Sequence, residues 1–171
     1  TFQPAQADYL EELHAQKNKW LVTDFVTMGS PLAHAEVLMA RNEPEFTRKK
    51  SEREFPTCPP TPETVAGQLR FSFKPGNVWV PHHAAVFAAT RWTNLYFECH
   101  YTVKGDVIGG PVVPAFGQGI ADIKLETEDF FSHTRYWEFT SGTGPSNPPT
   151  HIVELRKALR LAQILPRSHH E

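Results

Sequence analysis

A short apolar stretch, Trp20-Leu-Val-Thr-Asp-Phe-Val-Thr-Met28, runs directly into Gly29-Ser30-Pro31. An apolar run that is rich in β-branched residues is typical of a buried strand in a largely parallel sheet. The residues after the turn, Leu32–Arg41, are predicted to form a short helix. Together these segments make a βα unit, and in open α/β sheets ligands bind at the edge where such loops leave the strands.

Further elements can be predicted on both sides of this unit. Ala5–Lys17 carries its large apolar residues at one-face helical spacing, and we expect a helix there. Arg91–Tyr101 and Ile120–Leu125 have the composition of two more strands, and a last helix is expected after Thr150. The sequence therefore predicts an α/β fold, with a partial, mostly parallel sheet flanked by helices, in which residues 1–171 form a single domain or a domain fragment.

The segment Asn42–Thr64 has a different composition from its neighbours. It contains the charged run Arg48-Lys-Lys-Ser-Glu-Arg53, followed by four prolines. We find no hydrophobic periodicity in it and predict a surface excursion. A lid-like loop over a substrate is the alternative.

Bulk composition excludes several classes of protein. The chain has 171 residues, 40% hydrophobic and 21% charged, which is ordinary for a folded domain. A net charge of −2 gives no reason to expect a nucleic-acid partner. No apolar run approaches the roughly 18 residues of a transmembrane segment. Two cysteines make no disulfide framework, which favours a reducing compartment such as the cytoplasm without deciding the localisation, since an export signal upstream of Thr1 stays open.

Two residues in predicted loops have the chemistry of a hydrolytic pair. Asp106 follows the second predicted strand, and His133 follows the third. A carboxylate that holds an imidazole through its Nδ1–H lets the other ring nitrogen act as general base and then general acid. Asp106 could instead be a turn residue and His133 a buried core histidine. Asp122 and Asp24 are weaker candidates for the acid.

Three blocks of sequence resemble α/β-hydrolases of the lipase and esterase type. Val26-Thr-Met-Gly-Ser-Pro31 resembles the strand and turn after the nucleophile helix of that family. Trp92-Thr-Asn-Leu-Tyr96 with Gly105-Asp-Val-Ile-Gly-Gly-Pro111 resembles the next strand and the loop that bears the triad acid. Ser132-His-Thr-Arg-Tyr-Trp137 resembles the segment that bears the triad histidine. The resemblance implies that Asp106 and His133 are two members of a catalytic triad.

The family's nucleophile elbow, Gly-x-Ser-x-Gly, is absent from the sequence, and so is the glycine-rich oxyanion motif. Family order implies that both lie upstream of Thr1, with Ala5–Lys17 as the helix of the elbow or its neighbour. The resemblance thus implies the C-terminal part of a serine hydrolase that cleaves an ester or related acyl bond of a small molecule and needs no cofactor. We expect this part alone to be inactive, because it lacks the attacking group.

Three further hypotheses concern the role of Ser30, metal binding and a non-catalytic function. Ser30 lies at a strand–turn–helix junction, but Pro31 and the missing second glycine indicate a turn residue, with at most a substrate-binding place in the site. Scattered histidines, His82-His83, His100, His151 and His169-His170, lack the tight spacing of zinc ligands, so we expect no metal. Finally, the chain could be a non-catalytic interaction or scaffold module with a hydrolase-like half-fold, whose open sheet edge is covered by another chain or by an N-terminal part of the same protein.

Overall fold

The structure, a computed structural model, describes residues 2–99, 105–126 and 132–161. The α-helices are Phe2–Ala15 (α1), Ala35–Met39 (α2), Glu43–Ser51 (α3), Val113–Phe116 (α4) and Thr150–Ala158 (α5). The strands are Asp24–Met28 (β1), Glu63–Val65 (β2), Gln68–Arg70 (β3), Ser72–Phe73 (β4), Val80–Pro81 (β5), Arg91–Phe97 (β6) and Ala121–Leu125 (β7). Three 3₁₀ helices lie at Pro31–His34, His83–Ala88 and Ser132–Trp137.

The main sheet has three strands in the order β1-β6-β7, and both pairings are parallel. Its register places Met28 beside Leu95, and Leu95 beside Ile123. Two small antiparallel pairs, β2 with β3 and β4 with β5, lie outside this sheet. The predicted α/β class with a mostly parallel sheet flanked by helices is confirmed at this level. Because the three strands run the same way, the loops that leave their carboxyl ends meet at one edge.

Each face of the sheet packs against its own apolar cluster. On one face Trp92 packs against Phe87 and Phe116, with ring centroids 5.0 and 5.6 Å apart respectively. On the opposite face Leu95 and Phe97 pack in a cluster that also contains Leu125 and Tyr136, with Leu155 of α5 against it. Successive residues of β6 therefore alternate between two buried layers, as expected of a central strand covered on both sides.

A row of polar side chains crosses the middle of the sheet and anchors the loop after β6. The Asn94 side chain, which is fully buried, accepts a hydrogen bond from Thr27 Oγ1 and donates to Asp122 Oδ1, at 2.9 and 2.8 Å. Asp122 in turn accepts the backbone N–H groups of Val112 and Val113. Since buried polar groups are costly without partners, this row fixes where the chain returns after the loop of Asp106.

The first strand is shorter than predicted. The sequence indicated a strand from Trp20, whereas β1 begins at Asp24, opposite Arg91 at the start of β6. The residues before Asp24 have no neighbouring strand to pair with, because the chain before Arg91 is a 3₁₀ helix. Trp20 Nε1 donates instead to the Val22 carbonyl oxygen at 2.7 Å.

The segment 42–64 contains regular structure and buried residues that the expectation of a surface excursion did not include. It contains α3, whose first turn is capped by Asn42 Oδ1, which accepts the Glu45 N–H at 2.9 Å. It also buries Phe46, Phe55 and Cys58 in the cluster around Trp92. The charged run Arg48–Arg53 begins two residues after the buried Phe46 and makes the helical pattern of α3 hard to recognise in the sequence. A lid function of this segment stays a prediction.

Within the described ranges, no helix combines the length and the apolarity needed to span a membrane.

Candidate functional site

Three loops converge at the carboxyl edge of the parallel sheet. The turn at Gly29 follows β1, the loop of Asp106 follows β6, and the 3₁₀ helix that holds His133 follows β7. A Cβ placed on Gly29 would lie 2.8 Å from Asp106 Oδ2 and 3.1 Å from His133 Nδ1, so the three loops are in contact. The edge is the one at which α/β sheets bind ligands.

Asp106 and His133, predicted separately from the sequence, face each other in the structure. His133 Nδ1 lies 3.1 Å from Asp106 Oδ1 and 3.2 Å from Oδ2. The carboxylate is fully buried, whereas the imidazole side chain is 41% exposed. A ring whose Nδ1–H is donated to a carboxylate has its proton fixed on that nitrogen, which leaves Nε2 as the basic nitrogen on the outer side.

The Asp106 carboxylate accepts further hydrogen bonds. Its Oδ1 accepts the backbone N–H groups of Ile108 and Gly109, each at 2.9 Å, and its Oδ2 accepts the Tyr136 hydroxyl at 2.7 Å. Burial alone would raise the pKa of Asp106, but these donors together with His133 hold the pKa below its ordinary value. The group is thus an ionised carboxylate at neutral pH, in the form that can orient an imidazole.

Tyr136 is the member of this cluster that the sequence did not predict. Both Tyr136 and His133 lie in the 3₁₀ helix Ser132–Trp137, in which side chains three positions apart eclipse one another. The spacing of His133 and Tyr136 was the available signal, but it is informative only once a 3₁₀ helix is known. Burial, together with the bond to Asp106, keeps the pKa of Tyr136 above its ordinary value.

Gly29 allows the loops to approach this closely. Its backbone has φ +55°, in the left-handed region that favours glycine, and its amide donates to the Leu95 carbonyl at 3.1 Å. A Cβ at this position would lie 2.5 Å from a ring carbon of Tyr136. Because Gly29 has no side chain, the Gly-Ser-Pro turn lies directly against Asp106 and His133.

Ser30 is a turn residue in the structure. Its Oγ accepts the Leu32 N–H at 3.3 Å and caps the 3₁₀ helix that begins at Pro31. The described residues record no hydrogen bond between Ser30 and His133. A substrate-binding role for Ser30 stays a prediction, based on its place beside Gly29.

The weaker acid candidates are engaged elsewhere. Asp24 pairs with Arg91 at the amino end of β1, away from the convergent loops. Asp122 lies in the polar row and receives backbone N–H groups of the returning loop. Neither carboxylate is recorded as a partner of His133 in the part of the chain that the structure describes.

His82 and His151, two of the histidines considered as metal ligands, make separate contacts. His82 is buried against Phe73, with ring centroids 5.3 Å apart, and His151 bonds to the Glu138 carbonyl oxygen at 2.8 Å. In residues 2–99, 105–126 and 132–161, no three His, Cys, Asp or Glu side chains are grouped so that they could hold a metal ion. His100, His169 and His170 lie outside the described residues.

The arrangement is a buried carboxylate and a half-exposed imidazole that the carboxylate contacts through Nδ1. Every hydrogen bond recorded for the His133 ring within the described residues is made by Nδ1. Such a pair can accept a proton from a hydroxyl or thiol brought to Nε2, and return it to a leaving group. Comparison of the chain with family models, with curated proteins and with solved structures found no match in any of the three.

Proposed function

We propose that this chain is the C-terminal part of a serine hydrolase that cleaves an ester or a related acyl bond. His133 serves as general base and then general acid, and Asp106 holds its imidazole in one tautomer and one orientation. The nucleophile and the oxyanion donors come from a segment that precedes Thr1. The resemblance of the three sequence blocks to α/β-hydrolases supports this assignment.

The observation that carries the proposal is the Asp106–His133 pair itself. A fully buried carboxylate lies 3.1 Å from the Nδ1 of a half-exposed imidazole, at the edge of a parallel sheet. The backbone donors of Ile108 and Gly109 hold the carboxylate ionised. A histidine that served only the core would be buried, whereas the imidazole of His133 is 41% exposed.

The topology supports a place for the nucleophile beside β1. Among the described residues β1 pairs only with β6, so its other side is open. A strand joined to β1 through α1 would form a right-handed crossover and pair parallel to β1 on that side. The end of that strand would then lie next to the Gly29 turn and within reach of His133.

Exposed apolar side chains in the same segments as Asp106 and His133 support an acyl substrate. Val107, next to Asp106, is 44% exposed, and Trp137, at the end of the His133 helix, is 69% exposed. Apolar surface beside an acid–base pair suits the hydrocarbon part of an ester.

Ester hydrolysis by the full gene product tests the proposal. With p-nitrophenyl esters of increasing chain length, we expect turnover with an initial burst from an acyl-enzyme. His133→Ala should lower kcat on the order of 10⁶-fold. His83→Ala, an exposed histidine in another part of the fold, is the matched control and should keep full activity. Turnover that survives His133→Ala would reject the role of His133.

A second candidate function rests on the open edge of β1. Leu21 and Val22, just before β1, are 85% and 59% exposed, and Phe25 within it is 41% exposed. An interaction or scaffold module would use this edge to bind another chain. The ester assay distinguishes the two candidates. An interaction module would show no burst of product in either the wild type or His133→Ala, and both proteins would still bind the partner chain.

A further inference from the structure

We propose that Tyr136 is a positioning residue for the acid of the pair, and that its hydroxyl sets the direction from which the Asp106 carboxylate meets His133. This inference rests on the proposed function, since it concerns the same site. Nothing in the sequence pattern assigns Tyr136 such a role.

The hydroxyl of Tyr136 makes two hydrogen bonds, one as donor and one as acceptor. It donates to Asp106 Oδ2 at 2.7 Å and accepts the Phe97 backbone N–H at 3.0 Å. Phe97 is the last residue of β6, and its ring packs on the Tyr136 ring with centroids 4.7 Å apart. Tyr136 itself is 2% exposed. The carboxylate is thereby tied to the end of a central strand rather than to its own loop alone.

The two oxygens of Asp106 are supported differently. Oδ1 accepts two backbone N–H groups from its own loop, at Ile108 and Gly109. Apart from His133, Oδ2 accepts only the Tyr136 hydroxyl among the described residues. Because His133 Nδ1 is nearly equidistant from both oxygens, a carboxylate without the Tyr136 bond can pivot about Oδ1 and change the angle at which it meets the ring.

Loss of the hydroxyl also changes the charge that His133 faces. A carboxylate with one donor fewer keeps more negative charge on Oδ2, so it favours the imidazolium more strongly. The titratable groups that contact Asp106 in the described residues are His133 and Tyr136. Tyr136→Phe should therefore raise the pH at which His133 titrates, a result that loss of packing alone would not give.

Tyr136→Phe is the sharpest variant, because it keeps the ring beside Gly29 and Phe97 and removes one oxygen. Tyr96→Phe, a half-buried tyrosine on β6, is the matched control. The measurement is the pH titration of His133 by NMR in the full gene product labelled with ¹⁵N-histidine, combined with kcat and KM for a p-nitrophenyl ester. We expect an upward shift of the His133 midpoint, a loss of kcat of about tenfold and an unchanged KM.

A fluorinated tyrosine at position 136 gives a second test that does not remove the bond. Its hydroxyl is a stronger donor, so the pH midpoint of the His133 titration should move downward.

Three outcomes would count against the account. If Tyr136→Phe lowers the activity but leaves the His133 midpoint unchanged, Tyr136 has a merely structural role and the inference is overturned. If ester turnover depends on His133 but not on Tyr136, the inference fails and the proposed function stands. If turnover is independent of His133, the proposed function itself fails.

Discussion

Gly109 lies against Gly29 so closely that a Cβ on Gly109 would be 2.7 Å from the Gly29 Cα and 2.5 Å from Asp106 Oδ2. The acid loop and the turn after β1 therefore meet backbone to backbone, with the carboxylate between them. Side chains at either glycine would separate the loops, so the pair of glycines sets the spacing of the site.

Gly109→Ala should displace Asp106 from His133. Because the nearest atoms include backbone, the clash cannot be relieved by a rotamer change, and we expect ester turnover of the full gene product to fall about 100-fold. Gly144→Ala is the control, since a Cβ there would meet nothing within 4 Å. Equal activity of the two variants would contradict this account of the loop contact.

Asp106→Asn tests the role of the carboxylate while keeping its shape. An amide cannot stabilise the imidazolium and favours the wrong tautomer, so kcat should fall about 10⁴-fold with little change in KM. Asp24→Asn removes a carboxylate of similar size from the other end of the strands, where it pairs with Arg91, and should retain activity. Steady-state kinetics of both variants, with circular dichroism to verify folding, check the prediction.

The free energy of unfolding should depend on pH in the acid range partly because of Asp106. Its pKa is lower in the folded protein than in the unfolded chain, so ionisation favours folding above the unfolded value of about 4 and this contribution is lost as pH falls through the folded value. Urea unfolding from about pH 7 down to about pH 3 should show a shallower decline for Asp106→Asn than for the wild type. Identical slopes for the two proteins would contradict the hydrogen-bonded, ionised state of Asp106.

Glu45 makes its own contribution to the loss of unfolding free energy at low pH, separate from that of Asp106. Hydrogen bonds from the Arg41 side chain and backbone lower the pKa of Glu45 to about 2. Glu45→Gln should therefore remove its own part of the decline and leave the difference between wild type and Asp106→Asn unchanged.

The sheet was predictable because its strands carry dense apolar and β-branched residues. Arg91–Phe97 and Ala121–Leu125 lie within or close to the predicted ranges, and their parallel pairing follows from the long connections between them. The start of β1 was not predictable in the same way. Val22 is a β-branched residue that favours strands. Whether it pairs depends on where the neighbouring strand begins, and that is decided by the tertiary structure.

The helix α3 and the role of Tyr136 were missed for two different reasons. Asn42-Glu-Pro-Glu45 is a helix-start signal, with a capping residue and a first-turn proline, and it was masked by the charged run that follows. Tyr136 offered no such local signal, because its role depends on a 3₁₀ helix and on the distant carboxylate of Asp106. Asp106 and His133 could be predicted as candidates, since a carboxylate followed in the chain by a histidine, each in a loop after a predicted strand, matches the order of a hydrolytic pair.

Ser30→Ala should leave the chemistry intact. The change removes the hydroxyl that caps a short 3₁₀ helix, so we expect a loss of about 1 kcal/mol in the free energy of unfolding. Ester turnover should stay within about twofold of the wild type, corresponding to less than 0.5 kcal/mol of barrier by the usual conversion. Thermal unfolding and steady-state kinetics measure the two effects. Abolished turnover in a folded Ser30→Ala protein would make Ser30 the nucleophile and displace the proposal that it lies upstream.

The most direct test of the central claim is intact mass spectrometry of the full gene product after treatment with a fluorophosphonate probe. The account predicts one covalent adduct, mapped to a serine that precedes Thr1, and no adduct in His133→Ala. The isolated 171-residue chain should gain none. An unlabelled full gene product, or an adduct that forms equally well in His133→Ala, would contradict the assignment of Asp106 and His133 to a serine hydrolase.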